Sequence, residues 1–188
     1  MDEGLKKKIY LISNTNNYKD EIPEIFIDFY KDMEKKDFIK GGCHFLSSVL
    51  HVVFSEFDIQ NELCIGNVKF KEHVFSHSWI EIRGKEFDIA ISDTNNPLVH
   101  LDGIVFGGID TSTMLDASIY YGVNPDKDLK DKTGKRVMDL TLGEYFNMAP
   151  VGKNFVWDYV LDFSKNKGKF LNTRRLKEKY SDEKWIRK

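Results

Sequence analysis

Gly41-Gly42-Cys43-His44-Phe45-Leu46-Ser47-Ser48-Val49-Leu50 places a thiol behind two glycines and at the head of an apolar run. Leu46, Val49, Leu50, Val53 and Phe54 recur at helical spacing, which predicts a buried helix from Cys43 or His44 to about Glu56. Further on, Phe75 to Ile82 and Lys85 to Ile91 read as strands joined at Arg83-Gly84, the residues of a tight turn. A helix followed by antiparallel strands predicts an α+β fold, with the helix that starts at the cysteine packed on the sheet.

Working outward, Glu62 to Phe70 reads as another strand, with Gly66 as a possible bulge. Upstream, Ile22, Ile25, Phe26, Phe29 and Met33 share one helical face, and Pro23 and the acids near it mark the first turn. Gly41-Gly42 is expected to break that helix. Residues 5–12 fit a short strand or a helix. Residues 98–135 read as loop-rich, Leu140 to Met148 as a short helix capped by Thr141 or Asp139, and 155–163 as strand or helix. Alternating charges over 171–187, with Leu176, Tyr180, Trp185 and Ile186, predict a docked terminal helix. The expected organisation is one domain over 1–188, with a core at 41–91 and an elaboration at 98–188.

Bulk composition excludes several classes. The 28 basic and 30 acidic residues leave a net charge of -2, which argues against a nucleic-acid or membrane-surface partner. No run approaches the roughly 20 apolar residues that span a bilayer. Two cysteines make no disulfide framework, and no zinc spacing occurs, so no metal and no cofactor are expected. An intracellular, cytoplasmic setting with reduced thiols is expected. Fourteen Phe, eight Tyr and three Trp supply material for a sizeable core.

The hairpin arithmetic yields a candidate site. With Arg83-Gly84 as a two-residue loop, Ile82 pairs with Lys85, Glu81 with Glu86, Trp79 with Asp88 and His77 with Ala90. His77, Trp79 and Asp88 then share a face, with Asp88 diagonal to His77 at roughly 5.5–8 Å along the backbone. A slip of one residue would send Asp88 to the other face. A cysteine at a helix start sees unpaired N–H groups and the positive end of the helix dipole, both of which favour thiolate. The roles that follow are Cys43 as nucleophile, His77 as proton shuttle and Asp88 as the group that orients His77. Gly42 leaves room for a substrate backbone, and Trp79 either walls the site or belongs to the core.

Taken singly, each residue also has a structural reading. A cysteine after Gly-Gly, a strand histidine and a carboxylate after a turn are all common in proteins without catalysis. His44 points about 100° away from Cys43 around a helix and reads as structural. His51 reads as packed or solvent-facing, His73 as a loop residue and Cys64 as core. Asp93 is the reserve for the third position. It is the order of helix start, strand and same-face carboxylate that favours a site.

With those residues in hand, Gly41 to Leu50, the His-Ser-Trp-Ile-Glu-Ile strand, the Gly turn and Phe87-Asp88 resemble the transglutaminase-like core, a branch of the papain-like cysteine fold. The resemblance covers residues 41–91. It implies Cys43, His77 and Asp88 as the triad and a protein or peptide substrate. The compact hairpin between His77 and Asp88 looks similar to bacterial versions, including leader peptidases of lasso-peptide pathways. The family spans peptide hydrolysis, crosslinking, deamidation and acyl transfer, so the resemblance implies thioester chemistry without fixing the acceptor. Many members have an upstream oxyanion donor; here Asn14, Asn17, Tyr18 and Tyr30 are the candidates.

Three functions follow as expectations. The first is a cysteine-dependent enzyme on an amide or peptide carbonyl, with hydrolysis (protease or amidase) slightly ahead of transglutaminase or deamidase chemistry. The second is a catalytically idle binding module on the same fold. The third is an acyltransferase with a thioester cofactor, for which Lys40 and Lys69–Lys71 are available as phosphate-holding cations.

Overall fold

A computed structural model describes residues 3–96, 98–99, 101–124, 127–148 and 154–188. Three helices lead the chain: α1 (Glu3–Thr15), α2 (Glu21–Lys35) and α3 (Cys43–Glu56). Residues 5–12, open to either reading in sequence, are helical. Pro23 occupies the first turn of α2, where its missing N–H leaves no bond unmade. The α2 chain reverses earlier than the Gly-Gly pair: Asp37 takes φ 56 and Phe38 N–H returns to the Met33 carbonyl at 3.1 Å.

The strands are β1 (Glu62–Phe70), β2 (His73–Ile82), β3 (Lys85–Asp88), β4 (Val105–Phe106), β5 (Ile109–Asp110), β6 (Leu115–Asp116) and β7 (Ile119–Tyr120). A last strand, β8 (Ile186–Arg187), runs parallel to β1, and all other pairs are antiparallel. The sheet order is β6-β5-β4-β3-β2-β1-β7, with β8 also on β1. Among the described residues four further helices follow: α4 (Lys132–Asp139), α5 (Leu142–Met148), α6 (Phe155–Asn166) and α7 (Thr173–Tyr180). The α+β class is therefore as the sequence predicts.

The β2–β3 turn sets the register. Arg83 and Gly84 both take positive φ, 54° and 69°, as a two-residue hairpin loop requires. Ile82 pairs with Lys85, Glu81 with Glu86 and Ile80 with Phe87, as expected. The ladder stops there, short of the expected Ile91, because Asp88 Oδ1 accepts from Ala90 N–H and curls the chain into a 3-10 turn at Ile91–Asp93. Gly66 is not a bulge: β1 and β2 pair without interruption and Gly66 faces His77. A Cβ on Gly66 would lie 2.7 Å from the Lys188 carbonyl and 3.1 Å from the Trp79 ring, so the glycine lets the chain end approach the sheet.

Both faces of the sheet are buried. Alternate residues Leu63, Ile65, Ile80, Ile82 and Phe87 join α1, α2 and α3 in the larger core. Cys64, Val68, Trp79 and Val105 point the other way, into a smaller core closed by Val99, Leu101 and Ile119. Phe26, Phe87 and Phe106 meet edge to face with centroids 4.8–6.0 Å apart. Burying each such side chain stabilises the fold by roughly 1.5–3 kcal/mol.

The loop-rich region at 98–135 contains the short strands β4 to β7, and α4 begins at its end. Thr141 caps α5 reciprocally: its Oγ1 accepts from Glu144 N–H, and Glu144 Oε2 accepts from Thr141 N–H. The expected terminal helix is the eight-residue α7, followed by β8. Polar contacts dock this tail. Tyr180 Oη and Lys179 both donate to buried Glu56, and His51 bridges Asn61 and Glu183. Among the described residues, no helix is long and apolar enough to cross a membrane.

Candidate active site

Cys43 is the first residue of α3, and Gly42 is its N-cap without any side-chain capping bond. The helix ladder begins with Leu46 N–H to the Gly42 carbonyl at 2.8 Å. The N–H groups of Cys43, His44 and Phe45 therefore precede the ladder, at the positive end of the dipole. Gly41 N–H donates to the Asp93 carbonyl, which ties this start to the turn after β3.

The sheet brings His77 and Asp88 together. His77 Nε2 and Asp88 Oδ2 are 2.6 Å apart, and both side chains are 2% exposed. A one-residue slip of the hairpin would put these residues on opposite faces, and the register adopted keeps them on one. Asp88 is held from two further sides: Tyr121 Oη donates to Oδ2 at 2.9 Å and Ala90 N–H to Oδ1 at 3.0 Å. With Nε2 engaged by the carboxylate, Nδ1 is the ring nitrogen left for Cys43.

Electrostatics separate charge across the pair. Burial disfavours a Cys43 thiolate, yet the His44 and His77 imidazoles outweigh it and hold the thiol well below its usual range. Burial likewise opposes a charged His77, but the Asp88 carboxylate and the Cys43 thiolate raise it to about 10. The combination favours thiolate at Cys43 and imidazolium at His77, with a carboxylate behind the histidine. Burial and the same Asp88 carboxylate push the Tyr121 phenol well up, so Tyr121 stays a neutral donor.

Partly exposed Cys43 opens onto a cavity of about 530 Å³ lined by His44, His77, Asn95, Asp131 and Thr133. The N-terminus of α4 forms one side of it. Asp131 caps that helix through Gly134 N–H, while its own N–H donates to Ser76 Oγ on β2.

Several sequence candidates lie elsewhere. Trp79 is 1% exposed, stacked at a tilt on Tyr121 with its indole N–H bonded to Glu81, and belongs to the smaller core rather than the cleft wall. The glycines serve packing. A Cβ on Gly42 would lie 2.3 Å from the Phe38 carbonyl, and one on Gly41 (φ +62) would overlap the Asn95 side chain. Gly42 itself borders a second, apolar groove. Asp93 contributes its carbonyl, not its carboxylate, near the site. Tyr18 is buried against Phe87 and Phe106, Tyr30 bonds Glu34 on its own helix, and Asn17 accepts from Arg83. None of these lines the Cys43 cavity, and neither does Asn14.

Cys64 is fully buried and its thiol is pushed up, chiefly by burial. It forms, with Glu62 and Glu81, a group with ligand atoms within 4.8 Å of one another. Lys188 Nζ lies 2.8 Å from Glu62 and 2.9 Å from Glu81, so the cation of that cluster is the chain's own lysine.

Three contributors escaped the sequence reading. His44 is turned toward β2, where its Nδ1 meets Ser78 Oγ at 2.7 Å, and its imidazole helps to lower the Cys43 thiol. Adjacency to Cys43 was a signal, but the 100° helical offset concealed its meaning. Tyr121 reaches Asp88 only because β7 pairs with β1, a long-range event with no local signature. Asn95 enters the cavity through the turn that β3 makes after Asp88. No family model, curated protein or solved structure matches this chain.

Proposed function

We propose that this chain is a cysteine-dependent enzyme of transglutaminase-like type that cleaves an amide or peptide bond through a thioester, with water as acceptor. The observation that carries the reading is the buried His77–Asp88 contact at 2.6 Å, with the second imidazole nitrogen left to a cysteine at a helix start.

In this reading Cys43 Sγ attacks the carbonyl carbon and forms a C–S bond. The oxyanion meets N–H groups at the head of α3, with Asn95 Nδ2 at hand in the same cavity. His77 gives its proton to the departing amine as the C–N bond breaks. Water then attacks the thioester, surrenders a proton to His77 and releases the acid and the thiolate. Asp88 keeps His77 oriented throughout and stabilises its charged form before and after the proton transfers, and Tyr121 and Ala90 keep Asp88 in place.

Alkylation by iodoacetamide, read by intact mass, tests the activated thiol. Cys43 should label selectively at pH 6–7, and His77→Ala should abolish that low-pH labelling. Labelling of Cys43 no faster than that of Cys64 in the denatured protein overturns the proposal.

A further inference from the structure

A second groove of about 510 Å³ adjoins the Cys43 cavity at the Gly42–Cys43 step. Its apolar lining comes from Phe38, Phe45, Val137, Tyr145 and Met148. Phe38 and Phe45 meet edge to face at 5.7 Å, which gives a fixed aromatic wall. Gly42 belongs to this groove, Cys43 to the neighbouring cavity, and Thr133 to both. The Cys43 thiolate helps raise the Tyr145 phenol, behind the larger effect of burial, so the groove lies within electrostatic reach of the sulfur.

The rim differs in charge from the rest of the chain. Lys40, Lys132 and Arg136 line the groove, with Asp37 as the only acid among its described lining residues. All three cations are exposed, and none has a carboxylate partner among the described ion pairs. On a chain with net charge -2, a basic rim around an apolar slot next to a nucleophile is a local departure from the average.

We infer that this groove is the specificity pocket for the acyl donor, and that it takes a bulky apolar side chain from a peptide bearing a carboxylate on an adjacent residue. The inference rests on the thiol-enzyme reading above. The apolar lining removes the side chain from water, and the three cations attract the neighbouring carboxylate. A volume of about 510 Å³ accommodates a Phe or Leu side chain with part of its backbone.

Four peptidyl chloromethyl ketones test it: Phe or Ala beside the ketone, each with Asp or Lys as the preceding residue. Rates of Cys43 adduct formation are read by intact mass and divided by the iodoacetamide rate on the same protein. Phe should exceed Ala by about tenfold or more, from burial of the larger side chain. Asp should exceed Lys by about tenfold, from roughly twofold for each of three exposed ion pairs. The Lys132→Glu, Arg136→Glu double variant should lose or invert the Asp preference while the Phe preference persists. Equal normalised rates for all four probes, with Cys43 still alkylated at low pH, overturn the pocket and leave the thiol reading standing. Failure of iodoacetamide itself overturns that reading instead. Protection of Cys43 by desulfo-coenzyme A at concentrations where the Asp-Phe peptide amide gives none would assign the groove to a nucleotide thioester and overturn the peptide assignment.

Discussion

Tyr121 donates its phenolic hydrogen to Oδ2 of Asp88, the same oxygen that holds His77. The carboxylate is thereby clamped by a residue from beyond the predicted core. Tyr121→Phe removes one hydrogen bond to a buried charge and leaves the ring packed on Trp79. We expect a loss of about 1.5–3 kcal/mol in unfolding free energy. Turnover should fall by a smaller factor than in Asp88→Asn, because His77 keeps its carboxylate. Urea unfolding read beside Cys43 alkylation checks this. An unchanged midpoint would show that the bond contributes nothing.

Stability should follow a plateau in pH set by the Cys43–His77 pair. His77 is raised from 6.5 to about 10, so its contribution is complete below pH 6.5 and is lost as pH rises through about 10. Cys43 is depressed from 9.0, so its contribution is complete above pH 9 and is lost as pH falls through its lowered value. Between about 6.5 and 9 the gain at Cys43 offsets the loss at His77, since folded and unfolded pairs each bind one proton there. Denaturant unfolding across pH 4–11, as the difference between wild type and Cys43→Ala/His77→Ala, should show the plateau and both falls. A featureless difference curve would remove the ion pair.

How much of this was readable from sequence depends on the range of the contact. The hairpin was legible because Arg83-Gly84 encodes its own turn and the strand period of two does the rest, which placed His77 and Asp88 on one face. Helix α3 was legible from the spacing of Leu46, Val49 and Val53. The strands β4 to β7 were not, since four two-residue segments carry no periodicity and exist only by pairing in the sheet. Trp79 followed the predicted parity but ended in the smaller core, because alternation gives a face and not what covers it. The Gly41-Gly42 pair was visible, whereas its reason, close packing on Asn95 and Phe38, needed the fold.

Asp88→Asn separates orientation from packing. The amide oxygen still accepts from Tyr121 or Ala90, so the fold survives with a loss of about 1–3 kcal/mol. His77 loses the carboxylate that holds it charged. Turnover should drop by about a hundredfold or more. The pH profile of Cys43 alkylation should also move toward that of an ordinary thiol. A rate within threefold of wild type, with an unmoved profile, would exclude Asp88 from the relay.

His44 and His77 are expected to divide the work on Cys43. Both imidazoles lower the thiol, but only His77 is backed by a carboxylate, while His44 rests on Ser78. His44→Gln should move the alkylation profile upward in pH and yet retain most turnover at pH 9, where thiolate forms regardless. His77→Ala should lose turnover at every pH, since no proton donor remains for the departing amine. Equal losses at pH 9 in the two variants would mean that His44 shares the proton transfer.

The start of α3 should tolerate no side chain at Gly42. Its φ of -86° is ordinary, so the obstacle is contact and not backbone strain: a Cβ would sit 2.3 Å from the Phe38 carbonyl and 3.2 Å from Leu46. Either α3 or the Phe38 turn must move, at a cost of about 1–3 kcal/mol by analogy with overpacked cores. Gly84→Ala is the matched control. It meets nothing within 4 Å, and only its φ of +69° opposes the substitution, by roughly 1–2 kcal/mol. The stability losses are therefore similar, and the chemistry tells them apart. Gly42→Ala shifts Cys43 relative to His77 and should slow low-pH alkylation at least tenfold, whereas Gly84→Ala should leave that rate within twofold. If Gly42→Ala folds and alkylates like wild type, the thiol does not depend on the placement of this helix start.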